Sequence, residues 1–580
     1  MKRYTIGLIT GMILRLFSIT ILFAQGPHIG KGEVISVRFL ELKADAGGQS
    51  QQAVLGGPAR AEGEGPFDRM IIRGGTLIDG TGAPPRGPVD IVIEGNRIIN
   101  VVGVGTPGRP IDSERRPGGA TREIDAHGAW VLPGFVNAHV HIADVNAGGD
   151  PSQSKMLKVP EAEYNYKLWL GHGITTVRGV PFGEMNWSLT ERDRSARNEI
   201  TAPRMVSYHV PGSGREWSGK QILTPDDARK WVRWAAKKGI DGLKLDAYRP
   251  EIMKALIDEG GRHGLGSTAH LRQTGVAQMN ALDAARLGLG TVTHFYGIFE
   301  ALYDDHDVQP WPAEMDYSDE QLRFSQVARQ WKLIHPQGSK TWNNLIDEFL
   351  ELDVILDPTM TAYIATRNVM AARRADWHVE YTLPSLWDFY TPNPTSHGSY
   401  YPDWTTWDEV AWKRFFRTWM DFVDDYKDAG GRVTVSSDAG FTYNLMGFSS
   451  IEEMELLQEA GLHPLEVIRG ATLHGAEAIF EPRGEPIQFG VVRPGLLADL
   501  LIVEENPIQN LKVLYGTGAI RLNDETGIAE RVGGVRWTIK DGIIFDAKEL
   551  LADVRRMVKE QKRERGITSL PTSKFQAHTR

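Results

Sequence analysis

The spacing of apolar residues divides the chain into three textures. From Met70 to about residue 135, short apolar runs alternate with glycine turns: Met70-Ile71-Ile72-Arg73, Thr76-Leu77-Ile78-Asp79, 89–93 and 97–102, with Glu94-Gly95-Asn96 as a hairpin turn. The same texture returns near the other end, in 498–503 and 535–544. Between them, strand-like runs at 136–142, 175–180, 204–209, 242–246, 266–270, 291–294, 354–356 and 433–437 alternate with helical stretches such as 224–238, 250–263 and 276–287. That alternation predicts a parallel sheet with crossover helices, and eight strands over roughly 350 residues suit a (β/α)8 barrel. The expected fold is therefore α/β. A TIM-like barrel spans 136–486, with an aromatic-rich insertion at about 300–425, and a small composite β-sandwich is built from 70–135 and 487–545. Residues 25–69 read as a linker, and 546–580 as a solvated helix and tail.

Composition narrows the function. The 580 residues carry a net charge of −9, which gives no footprint for nucleic acid. With no cysteine there is no thiolate ligand or cysteine nucleophile, so any metal must be held by nitrogen and oxygen. Lys2 and Arg3 precede an apolar stretch, 6–23, and Ala24 precedes Gln25, so 1–24 reads as a signal peptide for export to the periplasm or beyond. Arg15 interrupts the stretch and argues against a stable membrane span after cleavage, although retention as an anchor stays open.

Candidate chemistry lies at the predicted strand ends, where a barrel places its site. His139 and His141 share one strand face and can grip one divalent ion. Lys244, His270, His294 and Asp438 sit at the ends of the fourth, fifth, sixth and eighth strands. A lysine among four histidines would repel a metal. Carboxylation by carbon dioxide would turn it into an anionic bridge, whereas pairing with Asp246 would leave a one-ion site.

These residues lie within a longer set of motifs: 74–82 (Gly-Gly-Thr-Leu-Ile-Asp-Gly-Thr-Gly), 133–141 ending His-Val-His, 173–178 (Gly-Ile-Thr-Thr-Val-Arg), Ala269-His270, Thr293-His294, Ser437-Asp438-Ala439, 471–476 and 493–500. In this order they resemble the metal-dependent amidohydrolase superfamily, the imidazolonepropionase and prolidase-like branch with a carboxylated lysine. The resemblance implies two divalent ions, zinc first among candidates. His139, His141 and Asp438 would hold one, and His270 and His294 the other. The Lys244 carbamate and a hydroxide would bridge them, with Asp438 as general acid–base. Gly179 and His474 depart from the pattern, where Asp and Asn are common.

The implied activity is hydrolysis of a C–N bond in an amide, cyclic amide or peptide-like small molecule. The alternatives are a one-ion heterocycle deaminase and an inactive metal-binding scaffold. His209, Arg272 and Tyr296 are candidate substrate contacts, and a homo-oligomer is compatible with the sequence. Nine of the sixteen tryptophans fall between His294 and Asp438, as helix core or as walls of a partly apolar pocket.

Overall fold

The computed structural model describes residues 56–141, 162–180, 185–217, 220–272, 275–276, 278–306, 308–317, 319–391, 401 and 403–568. The expected signal segment lies outside them.

Eight parallel strands follow one another in sequence order around a curled sheet. They are β1 (Phe135–His141), β2 (Ile174–Val180), β3 (Arg204–His209), β4 (Gly242–Asp246), β5 (Gly266–His270), β6 (Thr291–Thr293), β7 (Ile355–Asp357) and β8 (Arg432–Val433). The first and last ends of the curl meet, because the Ala138 amide donates to the Val435 carbonyl (2.9 Å) and the Asp438 amide to that of His139 (2.9 Å). Strand alternation divides each strand between the barrel interior and the helices outside. On β4, Leu243 and Leu245 join the main apolar core, and a β-carbon on Gly260 of the helix Pro250–Arg262 would come within 2.8 Å of Leu243. Lys244 lies between these leucines and turns inward.

Local signals fix the helices. The helix Pro225–Lys238 starts on a Thr224–Asp227 capping box with proline in its first turn, and stops at Gly239 in the left-handed region (φ 91°). The helix Thr406–Asp428 buries Trp412, Phe415, Phe416, Trp419, Phe422, Val423 and Tyr426 at helical spacing. Much of the expected aromatic pocket wall is therefore packing: Trp342, Trp412 and Trp419 are fully buried, while Trp407 is 79% exposed.

The segments 70–133 and 500–546 meet in a second sheet, where a composite β-sandwich was expected. Within the described hydrogen bonding it is one continuous mixed sheet, running Ile543–Asp546, Val535–Lys540, Leu500–Val503, Trp130–Pro133, Met70–Leu77, Arg86–Glu94 and Arg97–Gly103, with Arg122–Asp125 also on Met70–Leu77. Leu500–Val503 shows how the two bodies share residues: Leu500 and Ile502 enter the sheet core, and Leu501 and Val503 enter the barrel core. Arg204 at the start of β3 ion-pairs with Asp499 and Asp541 (2.6 Å to the latter). The sheet thus braces the barrel at the strand starts and leaves the strand ends to other uses.

Two expectations change. Residues 56–69 are not a loose linker, because Ala59 bridges Ile200 and Glu64 bridges Ile544. The terminal helix Ala547–Glu564 is solvated on one side only, since Leu550, Leu551, Val554 and Val558 are buried. Among the described residues, no helix is long and apolar enough to cross a membrane.

Candidate metal centre

Five predicted residues converge where the strands end. His139 and His141 leave β1 on one face, and their donor atoms lie with those of Asp438 within 4.8 Å of one another. The His141 Nε2 is 2.7 Å from Asp438 Oδ1, and the Nε2 atoms of His139 and His294 are each 3.6 Å from that carboxylate. Lys244 Nζ lies 3.1 Å from His139 Nε2. His270, at the rim, stands with its ring 4.8 Å from that of His294. His294 and Asp438 both adopt left-handed backbone (φ 63° and 46°) just past their strands. Non-glycine residues enter that region at a cost on the order of 1–3 kcal/mol each, which the surrounding structure must offset.

The electrostatics favour a cation. Burial pushes the Asp438 carboxyl up, but the His141, His139 and His294 imidazoles outweigh it and hold it well below its ordinary range. Burial, reinforced by the Lys244 charge, keeps His139 and His270 below the usual histidine value, and burial also keeps His294 low. They are therefore neutral imidazoles at pH 7, the form that binds metal. Burial pulls the Lys244 amine down to about 8, against the pull of Asp438 and Asp357.

A further layer was not legible in the sequence. Asp357, fully buried at the end of β7, lies 3.2 Å from His139 Nδ1 and accepts from Thr434 Oγ1 (2.9 Å) and Arg178 Nη2 (3.4 Å). Burial opposes its charge, but His139 and Arg178 hold its carboxyl well below the normal range. Thr359 Oγ1 donates to the Pro358 carbonyl (2.6 Å) and so accepts from His294 Nδ1. With both Nδ1 atoms engaged, His139 and His294 present Nε2 lone pairs inward. The predicted seventh strand stops at residue 356, one short of Asp357, and an aspartate before Pro358 reads as turn chemistry. Only its barrel-end position could have suggested otherwise.

The proposed substrate contacts separate. Tyr296 is buried with its ring 4.5 Å from His270 and its hydroxyl 3.0 Å from that of Tyr363. Arg272 is mostly exposed and ion-paired with Asp246. His209 is buried 3.5 Å from Ser188 Oγ, is held at about 3 by burial and by Arg192, and touches none of the five converging residues. Gly179 has a packing reason: a β-carbon there would lie 1.8 Å from the Val140 carbonyl. His474 binds the Val433 carbonyl (3.0 Å) at the barrel end.

The donor set suits a divalent ion: His139 and His294 in the neutral form with their back nitrogens engaged, and a carboxylate held ionised.

The curled parallel barrel thus carries a His-x-His strand, later histidines and a final aspartate at one end. Among curated proteins, the chain is 26% identical over 260 residues to a 5-methylthioadenosine/S-adenosylhomocysteine deaminase of Pelotomaculum thermopropionicum (40% of this chain, 55% of that one). It is 34% identical over 154 residues to an imidazolonepropionase of Symbiobacterium thermophilum (24% and 35%). The chain thus spans about half the length, or less, of these relatives. Among solved structures, a Xaa-Pro dipeptidase with bound methionine in its active site covers 82% of this chain and 100% of its own, with a TM-score of 0.53 at 18% identity, a likeness of fold. No family model matches. In fold and in these matched stretches the chain is similar to members of the metal-dependent amidohydrolase superfamily.

Proposed function

We propose that the protein is a metal-dependent hydrolase of C–N bonds, acting on an amide, cyclic amide or peptide-like small molecule. The observation that carries this reading is the convergence of the His139, His141 and Asp438 donors, with Lys244 and His294 alongside. When bound, a pair of divalent ions, zinc first among candidates, would supply activated water and polarise a carbonyl. His139, His141 and Asp438 would hold one ion, and His270 and His294 the other.

Lys244 decides how many ions fit. Its protonated amine donates toward His139 Nε2, the atom a metal needs, so ammonium and metal compete. With its amine pulled to about 8, a sizeable neutral fraction is available near neutral pH to react with carbon dioxide. The carbamate converts the competitor into an anionic ligand. Asp438, kept ionised, would take a proton from the attacking water on its carboxylate and hand it to the leaving nitrogen. The Tyr296 hydroxyl, on a ring packed against that of His270, would orient the substrate carbonyl. Export of the mature chain is part of the proposal, and N-terminal sequencing of protein from the native host would test it.

A one-ion deaminase is the second reading, favoured by the curated deaminase match and by the three-donor core. Metal analysis separates the readings. About two ions per chain, lost in Lys244→Ala with activity restored by short carboxylates, support the first; one ion and an indifferent Lys244 support the second; none supports a scaffold. Screening metal-loaded protein against N-acyl amino acids, dipeptides, cyclic amides and amino-heterocycles would identify the substrate class.

A further inference from the structure

The last residue of β7 and the turn after it touch two of the candidate ligands, and the residue before a third, within five residues. Asp357 engages His139 Nδ1 (3.2 Å), Thr359 engages His294 Nδ1, and Thr361 Oγ1 donates to the Ser437 carbonyl (3.0 Å), one residue before Asp438. Locally the turn has a backbone bond from Ala362 N–H to the Thr359 carbonyl (3.1 Å) but no side-chain cap. Thr359 sits in the left-handed region (φ 54°), and the short helical turn Met360–Tyr363 begins without a side-chain cap from Thr359.

The side-chain hold comes from elsewhere in the chain. Glu453, on the helix Phe448–Ala460, is fully buried and places one carboxylate oxygen on each of two successive amides, Oε1 on Met360 N–H (2.9 Å) and Oε2 on Thr361 N–H (2.8 Å). Burial pushes the Glu453 carboxyl up to about 8 against the pull of these two amides, and both its oxygens accept from the backbone of the turn that orients the ligands.

We propose that Glu453 is a positioning residue for the metal centre: a clamp that fixes the 357–361 turn and, through it, the orientation of His139, His294 and Asp438. The inference rests on the metal reading above. Glu453 bonds to the turn and not to a candidate ligand, so it acts through the turn that carries Asp357, Thr359 and Thr361. In Glu453→Gln the side-chain amide keeps the volume but turns an N–H donor toward one of the two backbone N–H groups, and that bond is lost.

The test uses cobalt(II) as probe on the full chain. Cobalt affinity is measured against a competing chelator, the visible absorption of the bound ion reports coordination geometry, and thermal melting is followed in parallel. Glu453→Gln is expected to weaken cobalt binding about 10–100-fold and to alter the visible bands. The neighbouring Glu452→Gln, which makes no bond to the turn, should change neither. Thr361→Val removes the Oγ1 bond to Ser437 and the side-chain bond with Glu453 but leaves both backbone amides on Glu453, and should give the same spectral change with a smaller affinity loss; it carries the test if Glu453→Gln does not fold. A Glu453→Gln protein that melts lower but keeps wild-type affinity and spectrum overturns the inference and leaves the metal reading intact. A wild type that takes up no cobalt overturns the metal reading, and the inference with it.

Discussion

Asp357 offers the sharpest test of how the site is built. Its carboxylate is fully buried and lies between two partners that need it, His139 Nδ1 at 3.2 Å and Arg178 Nη2 at 3.4 Å. Arg178 is itself buried, with further bonds to the Ala138 carbonyl (2.8 Å) and Thr291 Oγ1 (3.4 Å) and its guanidinium over the Tyr208 ring. Asp357→Asn keeps the volume but leaves a guanidinium without a counter-charge, and it can turn an amide donor toward the imidazole N–H. Removing one member of a buried ion pair costs about 3–5 kcal/mol, and losing the group that orients a ligating histidine weakens metal binding about 10–100-fold. Because the Arg178 contact is long, the lower end is expected, about 3 kcal/mol. Urea unfolding of the wild type, Asp357→Asn, Arg178→Met and the double variant measures the coupling. The double variant should be less destabilised than the sum of the singles by at least 1 kcal/mol, since removing both charges leaves neither unpaired. Strict additivity, or an Asp357→Asn protein with unchanged stability and metal affinity, would refute the reasoning.

Gly179→Ala should cost several kcal/mol or abolish soluble expression, because the new carbon would meet the Val140 carbonyl at 1.8 Å and backbone cannot rotate away; wild-type melting would contradict this. His172 and His378 are both lowered from 6.5 to about 4 by burial, so on acidification the unfolded chain takes up protons first. Their stability contribution is therefore full above about pH 6.5 and falls by about 3 kcal/mol each on the way to pH 4. His378→Asn should flatten the pH dependence of the urea midpoint over that window, and a slope parallel to wild type would count against the assignment. Trp404 donates to the Gln321 carbonyl (3.0 Å) and stacks on Trp412, whereas Trp407 is 79% exposed. Calorimetry should show Trp404→Ala losing about 2 kcal/mol and Trp407→Ala less than about 0.5 kcal/mol.

The six candidate ligands were legible in the sequence because each carries a local signature: two histidines at strand spacing, a lysine between leucines on β4, and single polar residues closing apolar runs. Strand alternation and capping signals such as Thr224–Asp227 also act within a few residues, so most barrel strands and helices follow from pattern alone. Asp357 and Glu453 left no such mark. Each is meaningful only through partners distant in sequence, His139 lying 218 residues from Asp357 and Met360 lying 93 residues from Glu453. His209 and Arg272 went the other way, since nothing in their neighbours announced that Ser188 and Asp246 would claim them.

By itself, then, the sequence determined the parallel α/β architecture, that β segments from both sides of the barrel would combine, and which candidate side chains close the barrel strands. These follow from periodicity and from the rule that strand ends bear the site. Only the tertiary structure decided which nitrogen of each histidine faces inward, why a carboxylate stays ionised in an apolar surround, and how a distant helix holds the turn that orients the ligands. Those properties depend on burial and on hydrogen bonds between residues far apart along the chain, and no local pattern encodes either.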